Sequence, residues 1–359
     1  MGFVAPPASD AGGGGPDAGP DAAPCIPSPI VAFDPDRFEA IVDRSLAQET
    51  VTAGNYDGDY GDAPGYVPPV VHALAAARCD ESMATRAEQT LDYGKGLAAG
   101  FASTLDPEAI VATLGFIETY RLSPRADLAS ATAEILPILD DVLSLTDGYL
   151  PAALLVDASG DALPYGQTAA TALIPILMLR YVEVVDPSDS ARLEAALGAI
   201  DGIAREAWME DVGYYRHNLG DDHLELYPNV AMMAAHTLAY RLSGDDVHLA
   251  RAEGLYDAIQ PLYLLGVGGF HSSYSSDAPD YVTLSSTNYL LMAMRFLQDE
   301  TGDGRYRTTA VSQIAFVEEV LYDPATHIAY HDWENDGRAD WWCAGCQFQH
   351  AYALLLWGE

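Results

Sequence analysis

The sequence alternates between two kinds of helical segment, and this alternation limits the fold more than any other feature. One kind is amphipathic with a charged face, as in SPRADLASATAEILPILDDVL and SDSARLEAALGAIDGIAREAW. Apolar residues fall three and four apart there, so each helix has one stripe to bury. Ser123 and Ser188 are the expected N-caps, with Pro124 in a first turn. The other kind is apolar nearly all round, as in GQTAATALIPILMLRYVEVV and PNVAMMAAHTLAYRL. A helix without a polar face must be covered on every side. His72 and His236 fall within such segments and read as satisfied core residues.

The pair repeats. NVAMMAAHTLAYRLSGDDVHLARAEGLYDAI lines up with NYLLMAMRFLQDETGDGRYRTTAVSQIAFV: an Asn, an apolar helix, a Gly-Asp turn, then an amphipathic helix. The turns at Gly244 and Gly302 lie 58 positions apart, longer than the period of the common helical solenoids. Weaker copies begin near Pro64, Pro107, Tyr165 and Cys343. With DPDRFEAIVDRSLAQ as a first outer helix, the pattern gives six outer and six inner helices. Strict alternation of that number predicts an all-α closed double ring, one domain over 33–359. Residues 1–32 are Gly, Pro, Asp and Ala with almost nothing to bury, and are expected to form a disordered tether.

These marks resemble the (α/α)6 barrel of the six-hairpin glycosidase superfamily. The residues that carry the resemblance are the turns LSGDD and ETGDGRY and the Gly-aromatic loops DGYLP, VGYYR and GGFHSSY. It covers nearly everything after residue 33, and it points to no one family. It implies hydrolases, polysaccharide lyases or sugar epimerases acting without a required cofactor. The leading segment is similar to the Pro/Asp/Ala-rich tethers of bacterial surface lipoproteins and secreted enzymes, which implies an exported protein. The segment has neither the basic start nor the apolar run of a signal peptide.

Charge narrows the partners. The formal net charge is −36, and Lys95 is the only lysine. Such a surface repels nucleic acid and anionic membranes, and no apolar run reaches the roughly 20 residues of a membrane span. A carbohydrate is the expected partner. Cys25 and Cys79 are expected to pair, as are Cys343 and Cys346 of the C-x-x-C motif.

In a double ring the connections from outer to inner helices open on one face. They are 55–66, 157–166, 218–229, 275–288 and 332–342, and each carries at least two carboxylates. Aromatics stack on the flat apolar faces of sugars, carboxylates bind hydroxyls, and hydrolysis needs two carboxyl groups. Asp59, Asp62, Asp161, Glu225, Asp280 and Asp340 are the candidate catalytic acids. Asp57 and Asp332 share the same rim. The candidate sugar-binding residues are Tyr60, Tyr165, Tyr215, Tyr227, Asn229, His271, Tyr274, Asn288, Trp333, Trp341 and Trp342. Glycoside hydrolysis is the first reading. The second is a polysaccharide lyase, in which Tyr or His takes a proton and Asn288 or Arg216 neutralises a uronate. A non-catalytic surface protein that binds glycan or assembles with itself is the third.

Two metal readings attach to the last rim connection. Asp332, Glu334 and Asp336, followed by Gly337, begin like a calcium loop, but Cys343 stands where a bidentate Glu is required. Cys343, Cys346 and His350 fall on one helical face, a spacing that zinc could use. WWCAGC also resembles the lanthionine cyclases, though this chain lacks their Cys-His pair.

Overall fold

The computed structural model describes residues 27, 29–50, 52–53, 56, 65–104, 107–146, 148–151, 166–274, 281–334 and 337–358. Among them are twelve α-helices. The outer ones are α1 (Pro35–Leu46), α3 (Glu81–Thr104), α5 (Ala126–Leu145), α7 (Ser190–Ala207), α9 (Asp246–Ala258) and α11 (Gly304–Phe316). The inner ones are α2 (Val67–Arg78), α4 (Pro107–Leu122), α6 (Gln167–Val184), α8 (Leu226–Ser243), α10 (Leu284–Thr301) and α12 (Ala344–Gly358). Each inner helix packs on the next, and α12 packs back on α2, so the inner ring closes. The first outer helix, α1, lies against α12 and seals the seam between chain start and chain end. This is the (α/α)6 barrel that the alternation predicts.

The two kinds of segment go where their patterns send them. From Gln167 to Arg180 every residue of α6 is buried, whereas α7 buries one stripe, Ala196, Ala199, Ile200 and Ile203. The Gly-Asp turns do two jobs in two residues. Gly244 and Gly302 close α8 and α10 in the left-handed conformation, at φ 71° and 66°. Asp245 and Asp303 then cap the next outer helices, accepting the Val247 N–H at 3.0 Å and the Arg305 N–H at 2.9 Å. Two expected caps are displaced. Asp189, not Ser188, caps α7 by accepting the Arg192 N–H, while the Ser188 hydroxyl bonds Asp186. Helix α5 starts after Arg125 with no side-chain cap, so Ser123 and Pro124 precede it.

Very short strands tie the longer connections together. After α7, β1 (Trp208–Met209) and β2 (Tyr214–Tyr215) form a hairpin. Strand β3 (Leu224–Glu225), before α8, pairs with β4 (Ser273–Tyr274). Strand β5 (Tyr281–Thr283), before α10, pairs with β8 (Asp332–Glu334), which pairs with β9 (Gly337–Arg338). A last hairpin joins β6 (Tyr322–Asp323) to β7 (Ile328–Ala329). The connections before α8, α10 and α12 therefore form one laterally bonded belt at the N-terminal ends of the inner helices.

The opposite face is short-turned and closed. The chain enters it ahead of α1, where the Phe33 N–H donates to the Leu354 carbonyl at 2.9 Å and Ala32 lies against Gly358. Cys79, the left-handed C-cap of α2, is disulfide-bonded there, and its expected partner Cys25 lies outside the described residues.

Candidate functional site at the barrel mouth

Side chains on an α-helix tilt toward its N-terminus, so those lining the inner ring aim at the belt end. The lower half of the lumen is filled by charge. Arg180 on α6 bonds Glu118 on α4 at 2.5 Å and also pairs with Glu183. Arg241 on α8 holds Glu183 at 2.8 Å and Glu300 on α10 at 2.5 Å. Arg121 closes the chain on Glu118 at 3.2 Å. Phe296 of α10 sits beneath the Arg180 and Arg241 guanidinium groups. The Tyr352 hydroxyl of α12 donates across the lumen to Glu118 at 2.6 Å. Burial alone would raise the pKa of Glu118, but Arg180, Arg121 and the Tyr352 hydroxyl hold it below the usual carboxylate range.

Above this plug some inner-helix residues keep a little accessible surface. Leu114, Ile176, Ala234 and Met292 keep 7–8 % of their surface accessible, while Ile117, Leu177, Ala235 and Ala293 beside them keep none. The walls here are phenolic. Tyr66, the N-cap residue of α2, and Tyr227 of α8 both interact with the Tyr289 hydroxyl of α10. The Tyr227 and Tyr289 rings meet edge to face at 4.9 Å, and Tyr66 lies 5.4 Å from Tyr352. Gln349 of α12 meets the Tyr289 hydroxyl through its buried side-chain amide. Burial keeps Tyr66 and Tyr289 protonated well past neutral pH.

The belt carries the remaining chemistry. His331 Nδ1 and Asp332 Oδ1 lie 2.5 Å apart, and the His331 ring stacks on Trp341 at 4.1 Å and 24°. Both members of this pair are buried, and Trp341 is half-buried. Glu225 on β3 is half-buried one strand pairing away from Ser273. His271 is buried and accepts the Tyr281 N–H at 3.4 Å.

Several candidates turn out to be structural. The Tyr215 ring packs on Trp208, and its hydroxyl lies 2.9 Å from His236 Nε2, as expected of a core histidine. Asn229 is fully buried; it accepts the Tyr215 N–H and donates to the Tyr215 and Glu225 carbonyls. Asn288 donates to the Cys346 carbonyl at 3.1 Å and meets His350 Nδ1 at 2.8 Å, which ties α10 to α12. Trp333 is buried on β8 opposite Val282, and Trp342 is buried near the Arg44 guanidinium. Of the tryptophans grouped in this connection only Trp341 presents a partly open ring. Asp340 is exposed. Tyr274 contributes its backbone to β4. Asp57, Asp59, Tyr60, Asp62, Asp161, Tyr165, Asp280 and Asp336 lie outside the described residues.

The zinc reading does not survive. Cys343 and Cys346 are joined in a disulfide with Cα atoms 5.2 Å apart, so neither offers zinc a thiolate. Of the calcium-like set, the Asp332 carboxylate on β8 lies against His331 and Glu334 is exposed, while Asp336 lies outside the described residues. Among the described residues no three His, Cys, Asp or Glu side chains gather to hold a metal.

Sequence reading missed Tyr66, Tyr289, Gln349 and His331. Tyr289 and Gln349 sit inside helices that read as core, and each directly precedes or follows a buried polar residue: Asn288 before Tyr289, His350 after Gln349. The three-residue spacing of Gln349 to Tyr352 was the available signal for a shared lumen face.

No protein-family model matches the sequence, and no curated protein matches it. The fold has many solved counterparts. A D-mannose isomerase superposes at TM-score 0.68 with 12% identity, covering 90% of this chain and 98% of that one. An unsaturated glucuronyl hydrolase specific for heparin gives 0.67 and 12%, covering 90% and 96%. The GH76A α-1,6-mannanase of Salegentibacter sp. HEL1_6 gives 0.66 and 12%, covering 89% and 98%. Identity this low shows a common barrel, and function has to be argued from the mouth.

Proposed function

We propose that the protein is an exported carbohydrate-active enzyme, and first of all a glycoside hydrolase. The observation that carries this reading is the mouth itself. It is walled by phenols and an amide, beneath a belt that carries Glu225 and Asp332. Phenol rings and amides suit the alternating apolar faces and hydroxyl edges of sugars. Glu225 and Asp332 are the acid and base candidates within the described belt, and Asp59, Asp62, Asp161 and Asp280 remain candidates on the other connections. The solved counterparts support the substrate class, since their names speak of mannose, cellobiose, glucuronyl and mannan chemistry. The Cys343–Cys346 disulfide and the tether-like start support export to an oxidising compartment.

The His331–Asp332 pair favours a second reading, a sugar isomerase or epimerase. A carboxylate-oriented imidazole is suited to taking a proton from carbon and returning it. The lyase reading would have to use Arg216, half-buried at the end of β2, as the cation for the uronate, since Arg180 and Arg241 are each taken up by two carboxylates and Asn288 is engaged by α12.

A glycan panel separates the readings. A hydrolase releases new reducing ends, a lyase makes an ultraviolet-absorbing unsaturated product, and an isomerase changes the sugar without cleaving it. Glu225→Gln and Asp332→Asn are expected to lower hydrolytic kcat at least ~100-fold. Full hydrolysis by both variants would remove this pair from the reaction.

A further inference from the structure

We infer that the Cys343–Cys346 disulfide is a reversible redox latch on the His331–Asp332 pair, which keeps the enzyme active when oxidised and idle when reduced. The inference rests on the reading of the barrel mouth as the active site and adds how that site is regulated.

The first turn of α12 clamps both feet of the connection that carries the pair. At one foot Gln347 brackets Ala329 of β7. Its Oε1 accepts the Ala329 N–H at 2.9 Å, and its Nε2 donates to the Ala329 carbonyl. His331 stands two residues further on. At the other foot the chain runs from Trp341 into Cys343, the residue before α12. The Trp341 carbonyl accepts the His331 N–H at 3.0 Å, and the Trp341 ring is the one stacked on the His331 imidazole. The placement of Ala329 and Trp341 therefore sets the placement of the imidazole. The disulfide pins this clamp. Cys343 Sγ accepts the Cys346 N–H at 3.0 Å, and the Cys346 carbonyl accepts from Asn288 of α10 at 3.1 Å.

Two features mark the bond as one that opens and closes. It encloses only Ala344 and Gly345, and so short a loop takes little freedom from the unfolded chain. Its position also favours exchange. The thiolate of an incoming dithiol attacks Cys346 Sγ, the bond between the two cysteines breaks, and Cys343 leaves as a thiolate. The Cys346 N–H and the start of α12 stabilise that leaving group. The second thiol of the reductant then displaces Cys346 from the mixed disulfide. Two electrons and two protons pass to the cysteine pair, and the dithiol becomes a disulfide. Cys343 and Cys346 keep 6% and 8% of their surface accessible, and Asp340 ahead of them is exposed, so a small dithiol has an approach. Once reduced, Trp341 is tied to the turn that holds Ala329 by main-chain bonds alone.

The test titrates the full chain with dithiothreitol and maps free thiols by alkylation and mass spectrometry. Cys343 and Cys346 are expected to become alkylated while the barrel keeps its helical circular dichroism. On the sugar that the glycan panel identifies, reduction should lower kcat at least ~10-fold with KM within about twofold, because a misplacement of ~1 Å is costly to chemistry. Reoxidation should restore kcat. Hydrogen exchange at the Ala329 and His331 amides should quicken at least ~10-fold while α6 stays protected. Cys343→Ser combined with Cys346→Ser should match the reduced form with or without reductant. Cys79→Ala should respond to reductant as the parent does, which separates the two bonds. A pair that is reduced only when the barrel unfolds would overturn the inference. So would a reduced pair with unchanged kcat or unchanged amide exchange. If no sugar is turned over in either state, the carbohydrate reading fails, and amide exchange still decides the latch.

Discussion

Asn229 and Asn288 look alike in the sequence, each at the start of an apolar helix after an acid-rich connection. In the fold both are fully buried and fully engaged. Asn229 satisfies an N–H and two carbonyls at the root of β2 and β3, and so fixes the backbone that carries Glu225. Asn229→Ala is expected to cost about 1–3 kcal/mol, read from a urea midpoint, because it strands buried backbone groups. Asn288 instead serves His350, whose pKa burial, then the nearby Arg37, lowers to about 3. His236 is likewise pushed well below its ordinary value by burial, then by His248 and Arg251. Both are neutral when folded and free to take a proton when unfolded. Their contribution is complete above pH 6.5 and is lost as pH falls below it; for His350 the loss runs toward pH 3 at about 1.4 kcal/mol per pH unit. Chemical denaturation from pH 7 to 4 should show that slope, and His350→Gln should reduce it. The sequence displays residue type, and asparagine or histidine near a rim suits a ligand as well as a buried backbone. Only ring closure decides between them, by bringing α10 against α12.

At the scale of elements the sequence was far more legible. Helix number, order and inner or outer placement follow from the width of each apolar face, a local property. The Gly-Asp turns carry their own mechanism, a left-handed stop followed by a cap. Gly302→Ala places a side chain at φ 66° and is expected to destabilise by about 1–2 kcal/mol, visible as a lower melting temperature. The belt was not legible. Its strands are two or three residues long, too short to show a period of two, and their partners come from different hairpins. Trp333 and Trp342 mislead for the same reason: on an isolated connection they read as a stacking surface, and pairing with β5 turns Trp333 into the core.

The molecule as a whole holds two opposite electrostatic designs. The lumen floor alternates Arg121, Glu118, Arg180, Glu183, Arg241 and Glu300, and its charges cancel. Glu118→Gln would break its centre, since Glu118 bonds both Arg180 and Tyr352, and is expected to cost about 3–5 kcal/mol of stability in thermal or urea unfolding. The surface does not cancel. With a net charge of −36 it repels itself, and added salt screens that repulsion. The melting temperature should therefore rise between low salt and about 1 M sodium chloride; a fall would show that surface repulsion is not what limits stability.

The Phe33–Leu354 contact has one more consequence. The chain joins the barrel at its sealed base, with Ala32 under the last turn of α12 and the Cys79 bond close by. An attachment made through the residues ahead of Phe33 would hold the barrel like a cup by the foot. The opening would then look away from the point of attachment, toward material arriving from the surroundings rather than toward the support behind it.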